Sequence, residues 1–545
     1  MRAVFSVTFR SGKRDVPQGG KLMQLKQVTI TNYTPISDIT LEVRRHLVLV
    51  GANDSGKTSI LTCLDLLLSA TTPMLYSHFQ AWHFRDATKP IIISVDINNL
   101  DDKIQIAFGI NNNRISEIKL TLSAFLDESQ MLTIKREVLY NNTTKPVADS
   151  QLTGIGWELF DAGEVPCTAS QYKTVLSGVM ESTNLRQHGL SSLTQSFREQ
   201  IEASPFLENL RERLAEKLIK TMPGNLNKDA VHLVPKDDIG TQVLGNIRVQ
   251  VKRQNKSPHM IDCLDGMRSL YAVAIYDVLS RDASVVGIDE PETHLHPTIQ
   301  RSLARVLQEE SNQKIIATHS ADIVGAFSPE HVAVVQPNGQ VVQPARGFLG
   351  EDERIIARWW VHGRLEPLTA RRIVAVEGIS DRIILESAAE VTGRNLDRLG
   401  IALIEANGSG DMWPIYKLFG PKGFRIPISL LIDSDAVQHT SVRLGIPKNE
   451  FTQNSIYVSK RDLEDEYTRA IGANTLWNAL RESKLFAHSE LRGGGKTEQA
   501  VAAFCRKNSS NKVRAALVVS SLLNEELAIA IESVNSLLNA IELPR

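Results

Sequence analysis

The stretch Gly51-Ala52-Asn53-Asp54-Ser55-Gly56-Lys57-Thr58 decides the fold. It follows an apolar run, Leu47 to Val50, and leads into an apolar segment, Ser59 to Leu68, so it reads as strand, phosphate loop, helix. Gly51 and Gly56 let the backbone approach a phosphate, successive amides donate to its oxygens, and Lys57 neutralises the β and γ groups. Asn53, Gly56, Lys57, Thr58 and Ser59 are therefore expected to bind ATP, with the Thr58 hydroxyl also completing the shell of a Mg2+ ion.

The acidic counterpart lies far downstream, in Val285-Val286-Gly287-Ile288-Asp289-Glu290-Pro291-Glu292. A buried strand ending there would hold Asp289 to orient the Mg2+, with Glu290 positioning the attacking water. His319 closes the next apolar strand, Lys314 to Ala317, and suits contact with the γ-phosphate or that water. His294 and His296 lack a full metal-ligand set and read as loop residues. This order, phosphate loop, long insertion, Asp-Glu and Thr-His-Ser, resembles the ABC ATPases related to structural-maintenance and recombination proteins. The resemblance implies that a signature loop from a second copy completes each site, hence a homodimer or higher homo-oligomer. Leu264-Asp265-Gly266-Met267-Arg268 is the corresponding loop, although it departs from a Ser-Gly-Gly pattern.

Gln24 to Ile30, ahead of the phosphate loop, and Ile91 to Ile97, Ile104 to Phe108 and Ile118 to Phe125, after it, alternate as strands. The segment from about 127 to 246 is irregular, with a turn at Asn141-Asn142 and helical spacing over Ser191 to Thr221; it reads as an insertion or arm. A hairpin is expected around Asn338-Gly339. The expected domains are an extension over 1–22, an ATPase over 23–368 and a second α/β domain over 369–545.

That second domain opens with a strand, Ile373 to Val376, followed by Glu377-Gly378-Ile379-Ser380-Asp381 and an amphipathic helix. Another apolar strand, Ile428 to Ile432, ends in Asp433-Ser434-Asp435. If both strands share one parallel sheet, Glu377, Asp381, Asp433 and Asp435 converge on oxygen ligands for Mg2+ or Mn2+, and two such ions suit phosphodiester cleavage. Gly378 is expected to permit the abrupt turn. The pattern resembles a Toprim domain, shared by topoisomerases, primases and certain nucleases. For Arg461-Asp462-Leu463-Glu464-Asp465-Glu466 two readings stand, an exposed helix start or a second metal site. For Gly493-Gly494-Gly495-Lys496-Thr497 they are a surface loop or a lysine that offsets charge on the scissile phosphate.

The whole architecture, an ABC/SMC-like P-loop ATPase with an inserted helical or dimerisation region followed by a C-terminal Toprim α/β domain, resembles the OLD (overcoming lysogenisation defect) family, including the nuclease subunit of Gabija anti-phage systems. The resemblance implies metal-dependent cutting of DNA, catalytic roles for Glu290, His319, Glu377, Asp381, Asp433, Asp435 and Lys496, and added metal ligands from Asp462 and Glu464, with Glu466 a further candidate. It also implies ATP control and a defence role, with a helicase or reverse transcriptase as candidate partner. A non-cleaving repair or recombination scaffold and an RNA-cleaving toxin remain the alternatives.

Composition agrees with a folded chain able to bury at least two substantial cores: 545 residues, 42% hydrophobic and 23% charged. Sixty-one basic and sixty-two acidic residues give a net charge of -1, which indicates no uniformly basic surface yet allows a local phosphate groove. No 18-residue apolar run suggests a membrane span, Met1 to Gly20 does not read as a secretory signal, and Cys63, Cys167, Cys263 and Cys505 lack paired spacing. A cytoplasmic protein is expected.

Overall fold

The computed structural model describes residues 23–100, 102–110, 115–127, 131–161, 211–212, 215–216, 231–235, 247–251, 283–293, 295–309, 312–350, 360, 366–406, 408, 410, 412–492 and 497–542. Residues 1–22, Cys167, Cys263, the loop 264–268, His294, Lys496 and most of the expected insertion lie outside the described residues.

Three larger sheets position the candidate sites. The first is antiparallel, in the order β2-β1-β4-β5-β6-β7, from β1 (Gln24–Thr31), β2 (Ile39–Glu42), β4 (Ile91–Asn98), β5 (Glu117–Leu126), β6 (Leu132–Tyr140) and β7 (Thr143–Pro146). The second runs β14-β13-β3-β12-β11-β8, from β3 (His46–Gly51), β8 (Trp157–Asp161), β11 (Val285–Asp289), β12 (Gln313–Thr318), β13 (Val332–Val335) and β14 (Val341–Val342). Its strands are parallel apart from β14, which pairs back onto β13. The third is parallel, in the order β16-β15-β17-β18, from β15 (Arg372–Val376), β16 (Ile401–Glu405), β17 (Ile428–Ile432) and β18 (Ile456–Val458). A separate hairpin joins β9 (Val231–Pro235) to β10 (Ile247–Val251).

The central strands are uniformly apolar because both their faces are covered. All six residues of β3 are buried. Leu47 and Leu49 face a core shared with the antiparallel sheet and α1 (Lys57–Leu68), while Val48 and Val50 face the opposite way. Ile60, Leu61, Leu64, Leu67 and Leu68 recur at helical spacing and bury one side of α1 in the first core. Each such side chain removed from water contributes about 1.5–3 kcal/mol. The second core joins the far face of the ATPase sheet to one face of the third sheet, through Val286, Ile288 and Ile316 on one side and Ile373, Ala375, Leu430 and Ile432 on the other. The third core packs Val374, Val376 and Leu431 against C-terminal helices. The ATPase sheet and the third sheet are thus back to back across continuous apolar packing.

Two sequence expectations are corrected. Ile104 to Phe108 is not a strand: Asp102–Ala107 is helical, with Ile104 and Phe108 buried one turn apart and Ile106 exposed between them. Alternation over five residues did not distinguish the two periods. Residues 132–161, expected in the insertion, contribute three strands to the two ATPase sheets: β6 and β7 extend the antiparallel sheet and β8 pairs with β11. The Asn141-Asn142 turn is the β6–β7 hairpin, with φ 47 and 58, values that asparagine tolerates better than most residues. The expected hairpin at Asn338-Gly339 joins β13 to β14. Cys63 and Cys505 are buried free thiols. No helix among the described residues is long and apolar enough to cross a membrane.

Candidate functional site

Two groups of polar side chains stand at the carboxyl ends of the two parallel sheets. At the ATPase sheet, the phosphate loop leaves β3 and enters α1. A Cβ on Gly51 would lie 2.2 Å from the Val335 carbonyl oxygen, and Gly56 has φ +105, so both positions require glycine. The Lys57 ammonium donates to the carbonyls of Ala52 at 2.8 Å and Gly51 at 3.1 Å, across the loop. Burial lowers its pKa, against the opposing pull of Glu290, Asp289 and Glu292. Asn53 and Thr58 are exposed and Ser59 is partly buried in the first turn of α1.

Asp289 ends β11 beside this loop and accepts a hydrogen bond from the Thr58 hydroxyl, the pairing expected of two groups that share one Mg2+ shell. Burial raises its pKa to about 6, with Asp161 and Glu290 adding to the rise. Its Oδ1 is buried without a hydrogen-bond partner. Glu290 adopts φ +44, uncommon outside glycine, and its carboxylate lies 3.2 Å from His319 Nε2. Burial lowers the His319 pKa, with Glu290 opposing. Glu292, to which the sequence reading assigned no role, accepts from the His319 backbone N–H and the Thr318 hydroxyl. It fixes the peptide that carries His319; its only signal was a third acid in the Asp-Glu-Pro-Glu run. His296 is exposed and bonded to Thr298.

The third sheet builds its site at a switch point. From β15 the chain crosses to β16 on one side and returns to β17 on the other, the place where open α/β sheets leave a crevice. Glu377 follows β15 and Asp433 follows β17, and the Asp433 N–H donates to Glu377 Oε1 at 2.9 Å. One oxygen from each of Glu377, Asp433 and Asp435 lies within 4.8 Å of the others. Asp381, in the first turn of α2 (Ile379–Val391), accepts from the Gly378 N–H at 3.0 Å and Ser380 Oγ at 3.2 Å. It lies outside that set of three but close enough to raise Glu377 and Asp433. Gly378 is not the steric necessity expected: its φ is -161, open to any residue, and a Cβ there would meet nothing within 4 Å.

The electrostatics are those of anions held together against their charge. Burial, reinforced by Asp381 and Asp435, pushes Glu377 up to about 7. Burial together with Glu377, Asp381 and Glu464 pushes Asp433 up to about 8. Burial also raises Asp381 and Glu464.

The acidic run 462–466 opens α3 (Leu463–Ile471), and its side chains go to three destinations. Asp462 caps the helix through the Asp465 N–H and, with Asp465, is gripped by Arg506. Glu466 accepts from the Lys460 N–H and from Ser533 N–H and Oγ, a fully structural use. Glu464 turns into the carboxylate cluster, only 1% exposed, with Oε2 buried and without a partner. The helix-start reading thus describes Asp462, while Glu464 is the member of the run that lies with the carboxylate cluster. Lys512, on α5 (Ser509–Leu522), reaches Glu464 Oε1 at 3.4 Å and its charge acts on Asp381 and Asp433. Sequence reasoning missed it, having considered Lys496; a lone lysine 48 residues beyond Glu464 carries no local motif.

A P-loop ATPase packed against a TOPRIM domain is the class that this fold and these two sites define. Residues 23–161 match the family described as AAA ATPase domain, and residues 265–325 match AAA domain, putative AbiEii toxin, Type IV TA system. Residues 368–435 match Overcoming lysogenization defect protein-like, TOPRIM domain. Among curated proteins the chain is similar to endonuclease GajA of Bacillus cereus, 21% identical over 416 residues, 71% of each chain. It is 24% identical over 451 residues to the OLD nuclease of Thermus scotoductus, covering 75% of this chain and 82% of that one. The Old nuclease of Escherichia phage P2 is 20% identical over 470 residues, 76% and 77% of the two chains. The chain is thus related along most of its length to proteins named OLD nucleases, and it carries an ATPase domain followed by an OLD-like TOPRIM domain.

Proposed function

We propose that the chain is an ATP-regulated, divalent-metal-dependent DNA endonuclease that serves in defence against phage. One observation carries the reading: carboxylate oxygens of Glu377, Asp433 and Asp435 within 4.8 Å of one another at a sheet switch point, with Glu464 Oε2 buried beside them and unpartnered. Relatives named as endonucleases and nucleases supply the reaction class.

The donors fit Mg2+ or Mn2+: all are carboxylate oxygens, and burial together with the neighbouring carboxylates has raised the pKa of Glu377 and Asp433. Glu377, Asp433 and Asp435 would hold one ion; Asp381 and Glu464 would hold a second, while Asp462, considered for this role from the sequence, is engaged by the Asp465 N–H and Arg506. Such ions, when bound, lower the pKa of water and offset charge on the leaving oxygen of a phosphodiester. Lys512 supplies a fixed positive charge beside the cluster and takes the role considered for Lys496, stabilising charge that develops on the scissile phosphate. The Asp433 N–H holds the Glu377 carboxylate in register with Asp433.

At the other edge, Lys57, Thr58 and Asp289 would bind ATP and Mg2+, and Glu290, oriented by His319, would position the attacking water. Completion of this site by a second copy makes a homodimer the minimal assembly. The ATPase and TOPRIM sheets share one core, in which Trp360 donates to the Phe327 carbonyl at 2.7 Å and stacks on Phe424 at 5.7 Å, so nucleotide binding acts on a sheet that is packed against the sheet carrying the cutting site.

The test is product formation by the purified chain on supercoiled, linear and single-stranded DNA and on RNA, with Mg2+ or Mn2+, with and without ATP. Glu377→Ala should abolish cutting and Lys57→Ala should remove only the ATP response. Unchanged cutting by Glu377→Ala rejects the assigned site, no cutting under any condition favours a scaffold, and cutting of RNA alone favours a toxin.

A further inference from the structure

Arg506 stands just beyond the end of α4 (Glu498–Cys505), and nothing in the sequence marks it out. Its guanidinium is forked: Nη1 donates to Asp462 Oδ2 and Nη2 to Asp465 Oδ1, while Nε holds the Ala502 carbonyl at 3.2 Å. The side chain is 20% exposed, so these charge-assisted bonds are largely shielded from water and salt. Arg461 also reaches Asp465, at 3.4 Å, but is 62% exposed and holds nothing else in the pair.

What the fork holds is the start of α3, and that start touches the metal ligands directly. The Leu463 N–H donates to Asp433 Oδ1 at 3.2 Å. The Arg461 carbonyl accepts from both the N–H and the hydroxyl of Ser434, at 3.0 and 2.8 Å, which fixes the loop between Asp433 and Asp435. Glu464, between the two gripped aspartates, is turned into the cluster.

We infer that Arg506 is a positioning residue for the TOPRIM carboxylates: by clamping Asp462 and Asp465 it sets the helix start that aims Asp433 and delivers Glu464. The inference rests on the metal-site reading above. Partners one shell away from a metal typically govern its affinity by about 10- to 100-fold. A guanidinium fork that spans two carboxylates is not replaced by a lysine, which offers one ammonium in place of a planar pair of donors.

The test measures Mn2+ binding to the full chain, without nucleotide, by titration calorimetry and by the paramagnetic signal of free Mn2+, together with thermal melting. Wild type should bind Mn2+ and Glu377→Gln should lose that binding. Arg506→Met should melt cooperatively yet bind Mn2+ about 10- to 100-fold more weakly. Arg506→Lys should fall between the two, and Asp465→Asn, which spares the Asp462 contact, should lose less than Arg506→Met. A folded Arg506→Met with wild-type Mn2+ affinity overturns the inference, as does a lowered melting temperature with unaltered binding. If Arg506→Met does not fold, Arg506→Lys decides, and wild-type affinity there overturns it. Wild-type Mn2+ binding that Glu377→Gln leaves unchanged overturns the metal site itself, and the inference with it.

Discussion

The two parallel sheets end in acids in the same way, yet the acids are partnered differently. At the ATPase edge each has a group assigned to it: Thr58 to Asp289, His319 to Glu290, and the His319 backbone N–H to Glu292, with Lys57 among them. At the TOPRIM edge Glu377, Asp381, Asp433 and Glu464 chiefly face one another, with Lys512 as the cation whose charge acts on all of them. The first edge is organised to receive an anion with its accompanying ion, through a glycine loop and a lysine. The second is organised to receive cations. Similar strand ends therefore carry opposite chemistry, and the difference lies in what surrounds the carboxylates rather than in the carboxylates themselves.

The strongest attempt to break this contrast removes one charge from the cation site. Asp433→Asn should reduce metal-dependent cutting by about 10³-fold or more, since an ion supplies several kcal/mol to the transition state. ATP hydrolysis by the same variant should be unaffected, and parallel loss of both activities would erase the division between the edges. Next in size, Lys512→Met should lower cutting by about 10²-fold, the scale of losing one electrostatic contact to a developing charge. Single-turnover rates at saturating Mn2+ check this, because they separate the lysine from metal affinity.

A smaller effect sharpens the comparison through pH. Asp433 and Glu377 stand at about 8 and about 7, against ordinary values of 3.8 and 4.5. The folded protein keeps protons that the unfolded chain has released, so their contribution to stability is complete at low pH and is lost as pH rises through the folded values. The melting temperature of metal-free protein should fall between about pH 5 and pH 8, with Mg2+ or Mn2+ reversing the fall and releasing protons on binding. A flat profile would show that the cluster is not under charge stress.

The smallest effect separates two glycines. Gly51→Ala forces a Cβ against the Val335 carbonyl and should abolish ATP binding, whereas Gly378→Ala meets no atom within 4 Å and should change stability by less than about 1 kcal/mol. Differential scanning calorimetry and nucleotide titration of the two variants measure the gap.

Much of this was legible in sequence because it lay in short, local runs. The strand, Gly51 to Thr58, and α1 announce themselves together, and Glu377 and Asp433 each follow a five-residue apolar strand. What brought the latter two together is the pairing of β15 with β17, which the strands alone left open. Lys512 and Arg506 were not legible, since each reaches the acids from a C-terminal helix whose placement depends on tertiary packing. Residues 132–161 were misread because polar hairpins at a sheet edge look like an arm when strand partners are unknown. The run 462–466 shows the limit most sharply, as only packing sorts Asp462, Glu464 and Glu466 into a clamped cap, a member of the buried carboxylate cluster and a brace.

Binding of divalent ions by the TOPRIM acids can be read from a crystal grown with Mn2+ by anomalous scattering. An anomalous peak coordinated by Glu377, Asp433 and Asp435 is expected, with a second beside Glu464 and Asp381. A well-ordered site with these carboxylates in place and no Mn2+ peak between them would contradict it.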